Sequence, residues 1–315
     1  MHALGNEMKK DETRTSDSGR MLPNFFILGA AKAGTTTLYE VLNTHPEIYL
    51  SRVKEPQFFC HEDLYRKGME FYSDRFFRGC ENYRVRGEAT PHYLYYEKAA
   101  QRISTNLPTN DLKFLVVFRD PVKRAYSLYW NMVSEGIETL SFEDALIAEK
   151  DRSRSESAEY SCSIDYQYVD SGLYARQVRC YLKYFQPAQF HFVFFEDLKN
   201  SPETTFAGIF RFLGVGENAD IRSGAAHNSA GTPRSKALHR FLRRPSALRR
   251  AVGRMLPGRV KYALVTKALS LNRQPHRYPP IRPETEAGLR RKFRDDILDL
   301  EMLTGRRLTH WLPES

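Results

Sequence analysis

The stretch that most constrains this chain is Phe25-Phe26-Ile27-Leu28-Gly29-Ala30-Ala31-Lys32-Ala33-Gly34-Thr35-Thr36-Thr37-Leu38. An apolar run ends at Gly29, passes through a turn of small residues and opens at once into a predicted helix. Leu38, Val41 and Leu42 share one face of that helix. Backbone N–H groups in such a turn, with a helix N-terminus behind them, form an anion site, and small residues let the chain approach phosphate oxygens closely. The turn is not the ATP type, which needs lysine immediately after its second glycine. Here Thr35 follows Gly34, and Lys32 stands two residues before it, inside the turn. The candidate phosphate contacts are Lys32, Ala33, Gly34, Thr35, Thr36 and Thr37. No acidic strand end suited to Mg²⁺ stands out, and no metal is expected.

Apolar runs alternate with helical periodicity along the rest of the chain. Strands are predicted at Phe25–Gly29, Glu47–Leu50, Arg84–Ala89, Lys113–Phe118 and Phe190–Phe195. Helices are predicted at Thr35–Asn43, from Pro121 through Tyr126 and Trp130 with Asp120 as cap, from Pro202 to near Gly214, and over Pro283–Gly305. Asp151–Tyr160 and Gly216–Pro233 read as loops. The expected fold class is α/β, a P-loop-like three-layer arrangement with a central, mostly parallel sheet flanked by helices. Residues 1–22 read as a flexible polar tail and 23–315 as a single domain.

A second anchor follows the strand at Lys113–Phe118. Arg119 ends that strand and can fork onto a phosphate with two N–H bonds. Ser127, two turns along the next helix, can donate its hydroxyl to the same group. Pairing of Arg119 with Asp120, and a bond from Ser127 to its own helix carbonyls, are the competing structural readings.

These two segments resemble the sulfotransferases that use 3′-phosphoadenosine 5′-phosphosulfate (PAPS). Lys32-Ala33-Gly34-Thr35-Thr36 matches that family's 5′-phosphosulfate loop, and Leu38 to Pro46 its following helix and His-Pro turn. Phe114 to Trp130, with Arg-Asp-Pro at its centre, is similar to the family's 3′-phosphate motif. The resemblance spans roughly Asn24 to Trp311 and implies PAPS as sulfuryl donor and its desulfated form, PAP, as product. It also implies a late loop closing over the nucleotide. His227 to Lys236 fits by position, which makes Gly231, Thr232 and Arg234 further candidate contacts.

Sulfuryl transfer needs an in-line acceptor, a base for its proton and a cation for the leaving phosphate. Lys54-Glu55-Pro56-Gln57-Phe58-Phe59 follows the second strand and resembles the segment that carries the catalytic glutamate in heparan-type sulfotransferases, with Glu55 in that place. Pro56 is expected to hold Glu55 extended, and Phe58 and Phe59 to shield it from water. Lys54, Gln57 and Phe58 are the candidate acceptor contacts. His92, in Gly87-Glu88-Ala89-Thr90-Pro91-His92-Tyr93, is the rival base, because imidazole is better matched to neutral pH. Heparan-type enzymes carry lysine where this chain has Ala89. Tyr174, after Ser171-Gly172-Leu173, reads as scaffold.

The net charge of +10 is concentrated. Residues 231–267 hold eleven Lys or Arg and no acid, which implies an anionic partner such as a nucleotide, an acidic glycan, a lipid headgroup or nucleic acid. That segment lacks a nucleic-acid reading motif, so nucleic acid is not expected, although surface association with a membrane is compatible with it. No apolar run approaches the ~18 residues of a membrane span, and no secretory signal is recognisable, so a cytoplasmic protein is expected. Four cysteines without C-x-x-C spacing suggest ordinary thiols.

The leading reading is an enzyme that moves a sulfuryl group to a hydroxyl or amine of a carbohydrate, glycolipid or secondary metabolite. A nucleotide-dependent kinase is the alternative enzyme, and a basic nucleic-acid-binding protein the non-enzymatic one. Oligomeric state is not legible.

Overall fold

The computed structural model describes residues 20–155, 164–217, 219–220, 231–233, 273–275 and 278–313. Its centre is a five-stranded parallel sheet in the order β2-β3-β1-β4-β5. The strands are β1 (Phe25–Gly29), β2 (Ile48–Leu50), β3 (Val85–Ala89), β4 (Lys113–Phe118) and β5 (Phe190–Phe194). Every residue of β1 is buried, as is every residue of β4 after Lys113. A parallel sheet covered on both faces demands such unbroken apolar runs, which is why these two strands were plain in the sequence.

The helices are α1 (Thr35–Leu42), α2 (Glu62–Tyr65), α3 (Gly68–Phe76), α4 (His92–Tyr95), α5 (Glu97–Asn106), α6 (Pro121–Glu135), α7 (Phe142–Ser155), α8 (Tyr174–Leu182), α9 (Phe195–Asn200), α10 (Pro202–Leu213) and α11 (Pro283–Thr304). Asp120 caps α6, accepting from the backbone N–H groups of Val122 and Lys123, with Pro121 at the first position. Gly214 and Gly305 end α10 and α11 in the left-handed conformation. Two expectations are corrected. Helix α7 runs on through Ser155, where a loop from Asp151 was expected. Gly231–Pro233, expected in a loop, forms β6, antiparallel to β7 (Arg273–Pro275).

The sheet order decides where a ligand can lie. The chain leaves β1 toward β2 on one side and leaves β4 toward β5 on the other. The connections diverge between these adjacent strands, which opens a crevice at their carboxyl ends. The turn containing Lys32 and the residue Arg119 flank that crevice. Among the described residues, no helix is long and apolar enough to cross a membrane.

Candidate active site

The turn after β1 is anchored to its neighbour strand: Ala30 N donates to Val117 O at 2.7 Å, and Ala33 N to Ala30 O at 3.2 Å. Ala33 is fully buried with its N–H engaged inside the turn, so it builds the cradle and does not offer the phosphate a free donor. Lys32 (φ 67°) and Gly34 (φ 106°) both adopt positive φ. At Gly34 a Cβ would stand 3.2 Å from the Phe195 ring. Helix α1 has no side-chain cap and no acid in its first turn, so its leading N–H groups, ahead of any intrahelical acceptor, suit an incoming anion. Thr35 is buried, with Thr36 and Thr37 half-buried beside it. Gly34→Ala is expected to cost about 1–2 kcal/mol of stability through backbone strain and to weaken anion binding about tenfold by displacing Phe195, read by thermal unfolding and calorimetry.

The two predicted anchors meet. Arg119 Nη1 donates to the carbonyl oxygen of Lys32 at 3.0 Å, and its guanidinium lies 4.7 Å from the centre of the Phe195 ring. Tyr174, as expected of scaffold, donates its hydroxyl to Arg119 O at 2.9 Å. Arg119 Nε is buried without a hydrogen-bond partner. Burial pulls the Arg119 pKa down, so a phosphate beside it would favour the charged form again. Asp120 acts on Arg119 only through its charge: that carboxylate caps α6 and faces Arg290 at 3.5 Å and Lys123 at 3.8 Å.

Lys32 Nζ donates to Asn131 Oδ1 at 2.7 Å. Asn131 lies one helical turn beyond the half-buried Ser127, on the same face of α6. That places Ser127 on the side turned toward the turn containing Lys32. Asn131 escaped the sequence reading because a polar residue on a helix carries no signal of a partner 99 positions away. Gly231 and Thr232 lie on β6, opposite Pro275 and Gln274. Arg234 lies outside the described residues.

The third loop follows β2. Ser51 N bonds to Gly87 O and Glu55 N to Ala89 O at 3.0 Å, so the residues between loop out and return to the end of β3. This return gives Glu55 a φ of 59° and Gln57 one of 58°. The extended Glu55 expected from Pro56 is thereby corrected: the pull of β3 overrides the local preference. Glu55 is about one-third exposed and pairs with Lys54 at 2.5 Å. His92 begins α4, half-buried, with Nδ1 buried and unpartnered. Burial lowers its pKa, while the charges of Glu55 and Asp165 pull it up. Gln57 is half-buried beside them.

Phe58 is corrected as an acceptor contact. It is fully buried, stacked on Tyr72 at 4.4 Å and edge-on to Phe59 at 5.0 Å. It forms the floor beneath the Glu55 loop. A second residue the sequence reading missed is Glu88, a fully buried carboxyl on β3. Its signal was an acid near the end of a short predicted strand.

The sulfotransferase-domain model matches residues 22–243. This chain belongs to the sulfotransferase family. Helix α11 lies beyond the matched region and packs on α8 and α6. The sulfotransferase is 33% identical over 199 residues to mouse heparan sulfate glucosamine 3-O-sulfotransferase 3A1, covering 63% of this chain and 47% of that protein. It is 31% identical over 248 residues to human heparan sulfate glucosamine 3-O-sulfotransferase 6, covering 79% and 68%. The crystal structure of a sulfotransferase from Alicyclobacillus acidocaldarius superimposes with a TM-score of 0.67 at 28% identity, over 92% of this chain and 99% of that one. The chain spans about half the length of several heparan-type relatives that it matches.

Proposed function

We propose that this sulfotransferase moves a sulfuryl group from PAPS to a hydroxyl of a carbohydrate, with an amine, a glycolipid or a secondary metabolite as the other acceptor classes. The observation that carries the reading is the contact between the two anchors. Arg119 braces the Lys32 carbonyl, so the cation of the turn and the arginine of the next strand border one crevice. The heparan-type relatives favour a glycan acceptor, while Ala89, in place of their lysine, argues for a different acceptor from theirs.

The residues fit the donor. The uncapped N-terminus of α1 with Lys32, Gly34, Thr35, Thr36 and Thr37 would hold its 5′ phosphate, and Arg119 with Ser127 its 3′ phosphate. When bound, PAPS supplies an activated sulfuryl group on a phosphate leaving group. Lys32 offsets the charge that grows on that phosphate as its bond to sulfur breaks. Glu55 Oε1 accepts from Lys54, which leaves Oε2 to take the acceptor proton as the new oxygen–sulfur bond forms. His92, close enough to sense Glu55, is the alternative base.

Calorimetric titration with PAP tests the reading without an acceptor. PAP should bind and ATP should bind far more weakly. Arg119→Ala should weaken PAP about 10–100-fold through loss of charge-assisted bonds. Preference for ATP would favour a kinase, and a folded sample indifferent to PAP at millimolar levels would end the proposal. Labelled PAPS with an oligosaccharide panel then identifies the acceptor.

A further inference from the structure

Beneath the Glu55 loop lies a carboxyl that the chemistry above does not use. Glu88 stands opposite Phe26 in the sheet register and is fully buried. Three hydroxyls converge on it. Tyr72 and Tyr93 donate to Oε1, the latter at 3.1 Å, and Thr90 donates to Oε2 at 2.7 Å. Each hydroxyl has one proton and two lone pairs. With the protons turned inward to Glu88, the lone pairs of Thr90 and Tyr93 face outward. Both receive backbone N–H groups of the loop that carries Glu55: Gln57 N reaches Thr90 Oγ1 at 3.4 Å, and Phe59 N reaches Tyr93 Oη at 3.1 Å.

The loop needs such an anchor. Positive φ at Glu55 and Gln57 is unfavourable for residues with side chains and persists only where the surroundings hold it. A buried carboxyl is also a costly way to fill space, and an apolar residue would pack there more cheaply. The groups facing Glu88 are Tyr72 from α3, Thr90 and Tyr93 from α4, and its charge is felt at Tyr181 on α8. Burial pushes the Glu88 pKa up to about 7, against the pull of its three hydroxyl donors.

We infer that Glu88 is a positioning residue: acting through Thr90 and Tyr93, it holds the Gln57 and Phe59 amides and so fixes where Glu55 stands. The consequence for catalysis rests on the reading of Glu55 as base. The amide contacts do not.

Amide hydrogen exchange on the full chain, resolved by residue, tests it. In Glu88→Gln, the side-chain oxygen can still accept from both tyrosines, but the amide group then donates to Thr90. The Thr90 proton loses its carboxylate acceptor, and the hydroxyl is no longer held in the one orientation that aims a lone pair at the Gln57 N–H. Exchange at Gln57 should therefore speed up about tenfold or more, while Phe59 stays protected. Tyr93→Phe should do the reverse. Thr90→Val should release Gln57 alone, and Thr90→Ser should restore it. Amides of β1 and β4 should hardly change.

Unchanged exchange at Gln57 in both Glu88→Gln and Thr90→Val would overturn the inference. So would an equal rise throughout β1 and β4, which would make Glu88 a core group without selective hold on the loop. Should Glu88→Gln fail to fold, the Thr90 pair decides alone. Loss of Gln57 protection with undiminished sulfuryl transfer would support the relay and count against Glu55 as base.

Discussion

Lys32→Ala is expected to cut sulfuryl transfer about 10²–10³-fold, the usual loss when one preorganised charge stabiliser is removed. PAP binding should fall much less, because the α1 N-terminus and Arg119 remain. The asymmetry has a structural reason. Lys32 is the cation of the turn itself, tethered 2.7 Å from Asn131, and its charge matters most when the leaving phosphate gains negative charge. A charge that acts on the transition state lowers turnover more than ground-state affinity. Lysine is a compact point charge, whereas arginine presents a planar fork, so Lys32→Arg should restore little. Single-turnover transfer and PAP calorimetry on the same samples separate the two effects. Equal losses in both would make Lys32 a binding group and move the catalytic charge elsewhere.

Glu55→Gln should lower turnover about 10²–10⁴-fold, the range of a general base, with PAP affinity unchanged. The substitution keeps the size of the side chain and its contact with Lys54 while removing the proton acceptor. His92→Asn is the comparison. Burial lowers the His92 pKa, so an imidazole base would produce an acid limb in kcat/KM that lies below the ordinary imidazole value. If that limb persists in Glu55→Gln, and His92→Asn abolishes turnover, the base is His92. If Glu55→Gln is the dead variant and His92→Asn retains activity, the base is Glu55.

Much of the scaffold was legible because local rules and tertiary demands agree. The buried runs of β1 and β4 have the unbroken apolar pattern of a doubly covered parallel sheet. Asp120 and Pro121 mark the start of α6, and Gly214 and Gly305 the ends of α10 and α11, because a cap, a missing N–H and positive φ each act within a few residues. Helices α2 and α4 are single turns of four residues, too short to show a period. The end of α7 was missed because its polar last turn reads like a loop.

The site divides along the same line. Sequence alone determined that a cation stands inside a strand–turn–helix segment and that an arginine closes a later buried strand, since both follow from residue order and backbone geometry. Only the tertiary structure decided that Arg119 braces the Lys32 carbonyl, that Asn131 holds the Lys32 ammonium, that Phe58 lies in the floor and that β3 bends Glu55 into positive φ. Each of those is a contact between groups distant in the chain. No short-range preference encodes such a contact until the sheet order has brought its partners to one edge.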